Sequence, residues 1–338
     1  MVAAIAAAVI VTGTAVPVGI AVAQAASKES KLAGDYLVVD LSGGPSASNY
    51  PVGYLSGVPT GGWTDEYKTT KLVLRKIPAG TFVMGSPTNE LGRYDHETQH
   101  TVTVSRAYYL GIFEVTQRQW ELVMGNRPSY LTNATCYATR PVEQVSYYDI
   151  RESTNNRAMN PTWPATNAVH ADSFMGRLRA KTGVTGFDLP TESQWEYACR
   201  AGTTTALNSG YNLTNPTNDA QMNFVGRYYD NSGARGSSAS RGWETNHGTA
   251  AVGTYQANAW GLYDMHGNVW EWCLDLYGPY LGTETDPKGA ASGSGRVFRG
   301  GCWGCNAGGC RSADRYGNGG GPSFRNGYVG FRAARTLP

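Results

Sequence analysis

The stretch Gly261-Leu262-Tyr263-Asp264-Met265-His266-Gly267-Asn268-Val269-Trp270-Glu271-Trp272 decides how this chain is read. Asp264, Gly267, Val269 and Glu271 fall close together in a Gly-containing turn that runs into aromatics. A hard cation is held by carboxylates and main-chain carbonyls, and a loop broken by Gly can aim several of them inward. The same residues also suit a loop in which Asn268 and Glu271 simply hydrogen-bond their surroundings. Both readings stand at this point.

The rest of the sequence shares that texture. Its 338 residues include 43 Gly, 9 Trp and 21 Tyr, and only 16% are charged, against roughly 25% in an average soluble domain. The 41% apolar content argues against a disordered chain. A net charge of +2 without a basic stripe argues against nucleic acid as a partner. Strand-like runs occur at Tyr36 to Leu41, Leu72 to Ile77, Thr81 to Gly85, Thr101 to Val104 and Tyr108 to Phe113. Four short helices are marked by their starts. Thr116 with Gln119 and Thr191 with Gln194 make capping boxes, Ser146 with Asp149 is similar, and Asp172 is placed to cap the helix of Phe174, Leu178 and Arg179. Gly125, Gly183 and Gly202 stop three of them. After Ala201 no long helix is expected. The fold class is α+β, loop-rich and irregular, over residues 70–338.

Several strings occur in order along this region. They include Ile77-Pro78-Ala79-Gly80-Thr81-Phe82-Val83-Met84-Gly85-Ser86, Glu114-Val115-Thr116, Pro141-Val142-Glu143-Gln144-Val145-Ser146 and Leu189-Pro190-Thr191-Glu192-Ser193-Gln194-Trp195-Glu196-Tyr197. The opening stretch follows, then Arg299-Gly300-Gly301 and Gly330-Phe331-Arg332. Together they resemble the formylglycine-generating enzyme (sulfatase-modifying factor) family. The resemblance implies an irregular variant of the C-type-lectin-like fold. It also implies structural calcium at Asp264, Gly267, Val269 and Glu271, through two side chains and two backbone oxygens, although Asp264 stands where Asn is usual. A second calcium would use Asn223 and the Phe224 carbonyl, with no downstream acidic partner identified. The family's activities include copper-dependent oxidation of a substrate Cys to formylglycine and iron-dependent sulfoxide synthesis, beside inactive or binding relatives.

By the same resemblance, Cys305 and Cys310 match the catalytic Cys-x4-Cys pair that binds Cu(I), a soft ion suited to thiolates. Their surroundings depart from the pattern. Cys302 replaces a Ser, Asn306 replaces a His, and the basic and aromatic residues after the second Cys shrink to Arg311-Ser312-Ala313-Asp314-Arg315. Catalysis is therefore in question. The alternatives are a disulfide, Cys302–Cys310 or Cys305–Cys310, or free thiols. Cys199 and Cys273 are expected as ordinary buried thiols. His96-x3-His100 is expected in a surface loop, and no other His pair has metal spacing, which removes the sulfoxide synthase reading. Trp303, Tyr316, Asn318, Phe324, Arg325, Asn326 and Tyr328 make an aromatic and amide-rich set that suits either a binding face or the core.

Residues 2–26 carry no charge. Their run VIVTGTAVPVGIAV is rich in β-branched residues, and Ala23-Gln24-Ala25 resembles a cleavage site. The expectation is an apolar arm (1–26) for self-association through a neighbour's sheet edge, with a secretory signal or a membrane anchor as alternatives. Residues 27–69 are expected as an extended tether. The protein is expected to be exported, whether extracellular, on the cell surface or periplasmic, with glycosylation triplets at Asn133 and Asn212. The functional expectation is binding or self-assembly, as in a filament or surface-structure subunit. The alternatives are a copper-dependent oxidase and a module that binds a glycan or protein on the aromatic face.

Overall fold

The computed structural model describes residues 34–152, 168–233, 247–317 and 321–337. The expected arm at 1–26 and Asn318 lie outside the described residues.

Along the chain the strands are β1 (Tyr36–Asp40), β2 (Val52–Leu55), β3 (Lys71–Ile77), β4 (Gly80–Met84), β5 (His100–Val104), β6 (Tyr108–Gly111) and β7 (Phe187–Asp188). After them come β8 (Gly226–Arg227), β9 (His266–Gly267), β10 (Trp270–Leu276), β11 (Glu284–Thr285) and β12 (Arg296–Arg299). The last three are β13 (Arg315–Gly317), β14 (Val329–Gly330) and β15 (Ala334–Thr336). The largest sheet has the order β2-β1-β3-β6-β15-β7, so the C-terminal strand inserts between β6 and β7, elements far earlier in the chain. A second sheet, β13-β12-β10-β14, carries the sequence around the opening stretch. Within the stretch 27–69, expected as an extended tether, β1 and β2 instead join the main sheet. β1 pairs with β2 on one side and β3 on the other, because Tyr36, Leu37 and Val39 bury their side chains there.

Both faces of this sheet are covered. Leu37, Val39, Leu72, Leu74 and Tyr109 enter one core with Trp120, Phe174, Trp272 and Phe331. Their neighbours Tyr36, Val73, Ile77, Tyr108 and Leu110 enter the other with Trp195, Leu262 and Met265. Successive side chains point to opposite faces, so a sheet buried on both sides reads as a continuous apolar run. Each large side chain so buried contributes roughly 1.5–3 kcal/mol before the entropy of ordering is set against it.

The helices sit at the edges of these cores. Gln117–Met124 and Glu192–Arg200 both start with complete capping boxes, at Thr116 and Thr191. Phe174–Thr182 is capped by Ser173, not Asp172, because the Ser173 hydroxyl accepts from the Gly176 N–H. Gly125 and Gly183 close two helices in the left-handed conformation, whereas Ala201, ahead of Gly202, closes the third at φ 45°. The Ser146 start leads into a single π-type turn, Tyr148–Glu152. Among the described residues no helix is long and apolar enough to cross a membrane.

Candidate functional site

Two clusters meet in the loops that join the sheets. The first forms at the turn 264–269, where Asp264, Gly267 and Asn268 all have positive φ. A Cβ on Gly267 would fall 1.9 Å from the Arg227 carbonyl oxygen, so only Gly fits. Glu271 does not point into open space. Its Oε2 accepts from Arg332 Nε and Trp195 Nε1, each at 2.7 Å, and its Oε1 accepts from Arg332 Nη2 at 2.7 Å. Arg332, fully buried, also donates to the carbonyls of Gly111 and Tyr263. Asn268 donates to Glu114 Oε2 at 2.8 Å and accepts from the Ala250 N–H. Asn268 and Glu271 thus do hydrogen-bond their surroundings.

Asp264 is different. Its Oδ2 accepts from the Gly253 N–H at 2.6 Å, while Oδ1 is buried without a hydrogen-bond partner. Glu114, Asp264 and Glu271 place three buried carboxyls around the single guanidinium of Arg332. Burial, then the negative neighbours Asp264 and Glu271, drive the Glu114 carboxyl well above its ordinary range. Burial likewise lifts Asp264 to about 6. An unsatisfied carboxylate oxygen in a carboxylate-rich, Gly-broken turn fits a hard cation. Glu271 would have to share its oxygens with Arg332. At the second expected calcium position, exposed Asn223 accepts from Asn231 and the Phe224 carbonyl accepts from the Gln256 N–H.

His266 links this turn to the second cluster. Its Nε2 accepts from the Asn208 N–H, so Nδ1 carries the proton and donates to the Cys310 carbonyl at 2.7 Å. Burial pushes its pKa down to about 4, which keeps the ring neutral. Gly300 and Gly301 then turn the chain at positive φ, and a Cβ on Gly301 would lie 2.6 Å from Cys310 Sγ. Cys302, Cys305 and Cys310 converge there, with Cys302 Sγ 2.6 Å from Cys305 Sγ. All six cysteines are free in the structure, and Cys199 and Cys273 are buried as expected. Hydrogen bonds from Cys302, then Cys310, hold the Cys305 thiol well below its usual range. Burial raises both donors. For copper, the donor set departs from a two-thiolate site, since a third sulfur presses on Cys305.

Above these sulfurs opens a pocket of about 270 Å³ walled by Trp270, Phe298, Tyr316, Phe324 and Tyr328, with Cys302 and Cys305 also on its lining. Tyr328 stacks on Trp303 at 4.7 Å, and the Trp303 indole N–H donates to the Gly327 carbonyl. Arg325 instead pairs with Asp149 outside the pocket. His96 and His100 line a separate groove of about 660 Å³ with Tyr277 and Tyr280. Among the described residues no group of three or more His, Cys, Asp or Glu is arranged as a metal cluster. Asn133 and Asn212 each accept a hydrogen bond in their own loops. Sequence reasoning missed Glu114 and Trp270 as site residues. Glu114 lies in one of the quoted strings, but nothing local marks it as facing a turn 154 residues away.

The Sulfatase-modifying factor enzyme 1-like domain model matches residues 64–337. The mouse Formylglycine-generating enzyme is 30% identical over 302 residues, covering 80% of this chain and 76% of that protein. The Chaperone protein LppX of Paenibacillus barcinonensis is 33% identical over 185 residues, covering 50% of this chain and 62% of that one. The chain thus spans about three fifths of the LppX protein. Among solved structures, Treponema denticola variable protein 1 superposes with a TM-score of 0.59 at 30% identity, covering 80% of this chain and 96% of that one. With β3 to β15, the capped helices and the opening turn falling inside the matched region, this chain belongs to the sulfatase-modifying factor, or formylglycine-generating enzyme, family.

Proposed function

We propose that this domain is a binding module whose ligand, a protein or a glycan, enters the aromatic pocket between Trp270, Tyr316, Phe324 and Tyr328. The observation that carries this reading is the pocket itself, an apolar, aromatic-walled hollow at the place where the family's catalytic string has lost its orienting residues. Tyr and Trp offer large contact area at small entropic cost, and their faces suit sugar rings and apolar side chains alike. Screening glycan and peptide libraries against the wild type and a Tyr316→Ala, Tyr328→Ala pair tests it. Ligands retained equally by both proteins would sink the idea.

In this reading the fold is the irregular C-type-lectin-like variant, and calcium is held at Asp264, Gly267, Val269 and Glu271. The ion would neutralise the carboxylate excess and fix the turn under the pocket. Asp264 Oδ1, buried without a partner, supports this. Asn223 and Phe224 would hold a second ion. Calorimetric titration with calcium chloride checks both. The charge-free segment 2–26 supports export to the cell surface, the periplasm or the medium, and self-association into a filament through that arm. Unchanged assembly of a chain lacking residues 1–26, seen by size-exclusion chromatography, would remove the arm from the account.

A copper-dependent oxidase at Cys305 and Cys310 is the second reading, favoured by the convergence of the two thiols. Copper titration with oxygen uptake on a Cys-containing peptide decides it.

A further inference from the structure

The pocket floor holds a sulfur that the family's string does not have. Cys302 and Cys305 form a Cys-Trp-Gly-Cys run, and the Cys305 N–H donates to the Cys302 carbonyl at 2.9 Å, closing the run into a tight turn. That turn sets the two sulfurs 2.6 Å apart, inside the roughly 3.5–4 Å of ordinary non-bonded contact. Joining them needs little backbone movement. The two are not equivalent. Cys302 is buried, whereas Cys305 is half-buried, so a molecule in the pocket meets Cys305 first. Cys310 is fully buried, packed against Gly301, and is absent from the pocket lining.

We propose that Cys302 and Cys305 form a dithiol–disulfide couple, with Cys305 as the attacking sulfur and organic disulfides reaching it through the aromatic pocket. The Cys305 thiolate attacks one sulfur of the incoming disulfide. That S–S bond breaks, one half leaves as a thiolate and takes a proton from water, and the other half stays bonded to Cys305. Cys302 then loses its proton to water and attacks the Cys305 sulfur, expelling the second half as a thiol. The two protein thiols are oxidised and the ligand disulfide is reduced to two thiols. Supplied with a dithiol, the couple runs in reverse. Position suits these roles, since Cys305 stands half-buried on the pocket lining where a disulfide can reach it, and the buried Cys302 sulfur waits 2.6 Å behind it to resolve the mixed disulfide. The couple acts whether or not the pocket also binds a protein or a glycan.

The test treats the fully reduced chain with glutathione disulfide, quenches in acid, blocks free thiols and maps the peptides by mass. The wild type is expected to yield a Cys302–Cys305 link. Cys302→Ser is expected to hold glutathione on Cys305 at least about tenfold longer than the wild type, and Cys136→Ser, outside the cluster, to behave as the wild type does. A link between Cys305 and Cys310, glutathione confined to Cys136 or Cys310, or no change in the wild type would each overturn the proposal. Because the wild-type map alone decides which sulfurs join, it stands even if a variant fails to fold.

Discussion

Around Arg332, three carboxyls are shut away from water, and nearly every oxygen is spent on a neighbour. Across His266, three sulfurs gather beneath an open aromatic hollow, and one of them faces outward. Both clusters draw on distant parts of the chain, but only the second leaves a reactive group where a ligand can reach it. Enclosure serves cohesion and openness serves chemistry. Among these three carboxyls, the buried Asp264 Oδ1 without a partner is the point where the closed cluster departs from that division.

The comparison breaks most directly at Arg332. Arg332→Ala strips Glu271 of its buried guanidinium partner, and is expected to cost about 3–5 kcal/mol in urea unfolding. A loss below about 1 kcal/mol, the worth of an exposed pair, would mean that the cluster is not closed. A smaller effect comes from pH. Burial raises Glu143, fully buried beside Ser129 and Leu131, from 4.5 to about 7. Because the folded chain holds that proton more tightly, the stabilisation is complete below the unfolded pKa and is lost as pH rises through about 7. In unfolding followed from pH 5.5 to 8, Glu143 alone is expected to account for about 1–3 kcal/mol of the stability lost, and Glu152, Asp275 and Asp314 shift in the same direction. Glu143→Gln should flatten part of that slope.

The sulfur side yields less in stability. Gly301→Ala combines positive φ with a contact on Cys310 and is expected to lower stability by about 1–2 kcal/mol, read as a reduced thermal midpoint. Tyr316→Ala, at an exposed residue, should change stability by no more than about 0.5 kcal/mol. It should nonetheless weaken ligand capture by the pocket. If both Tyr316 and Arg332 variants unfolded alike, the contrast between the clusters would be lost.

What could be read from the sequence was local. The boxes at Thr116 and Thr191 close within one helical turn, so their spacing alone reveals them. Ser173 was passed over for Asp172 because two capping residues stand side by side. β10 and β12 escaped notice for another reason. Arg296 and Arg299 look like surface residues until Glu196, 103 positions earlier, is seen against Arg299. The residues expected to hold calcium are legible in the turn, but Glu114 and Arg332, which set its charge, arrive from remote segments that follow β6 and β14. The aromatics of the pocket were noticed as a set, whereas their meeting with Cys302 and Cys305 depends on how β10 and β12 pair.

Arg299, Arg311 and Arg332 are each fully buried and each paired with glutamates. Dissolved ions act over about 8–10 Å at ordinary ionic strength but do not enter such interiors. The cohesion of the loop-rich half should therefore be nearly the same in dilute buffer and in brine. Heating should also lower the desolvation cost these pairs carry, so their relative share in holding the domain together rises with temperature.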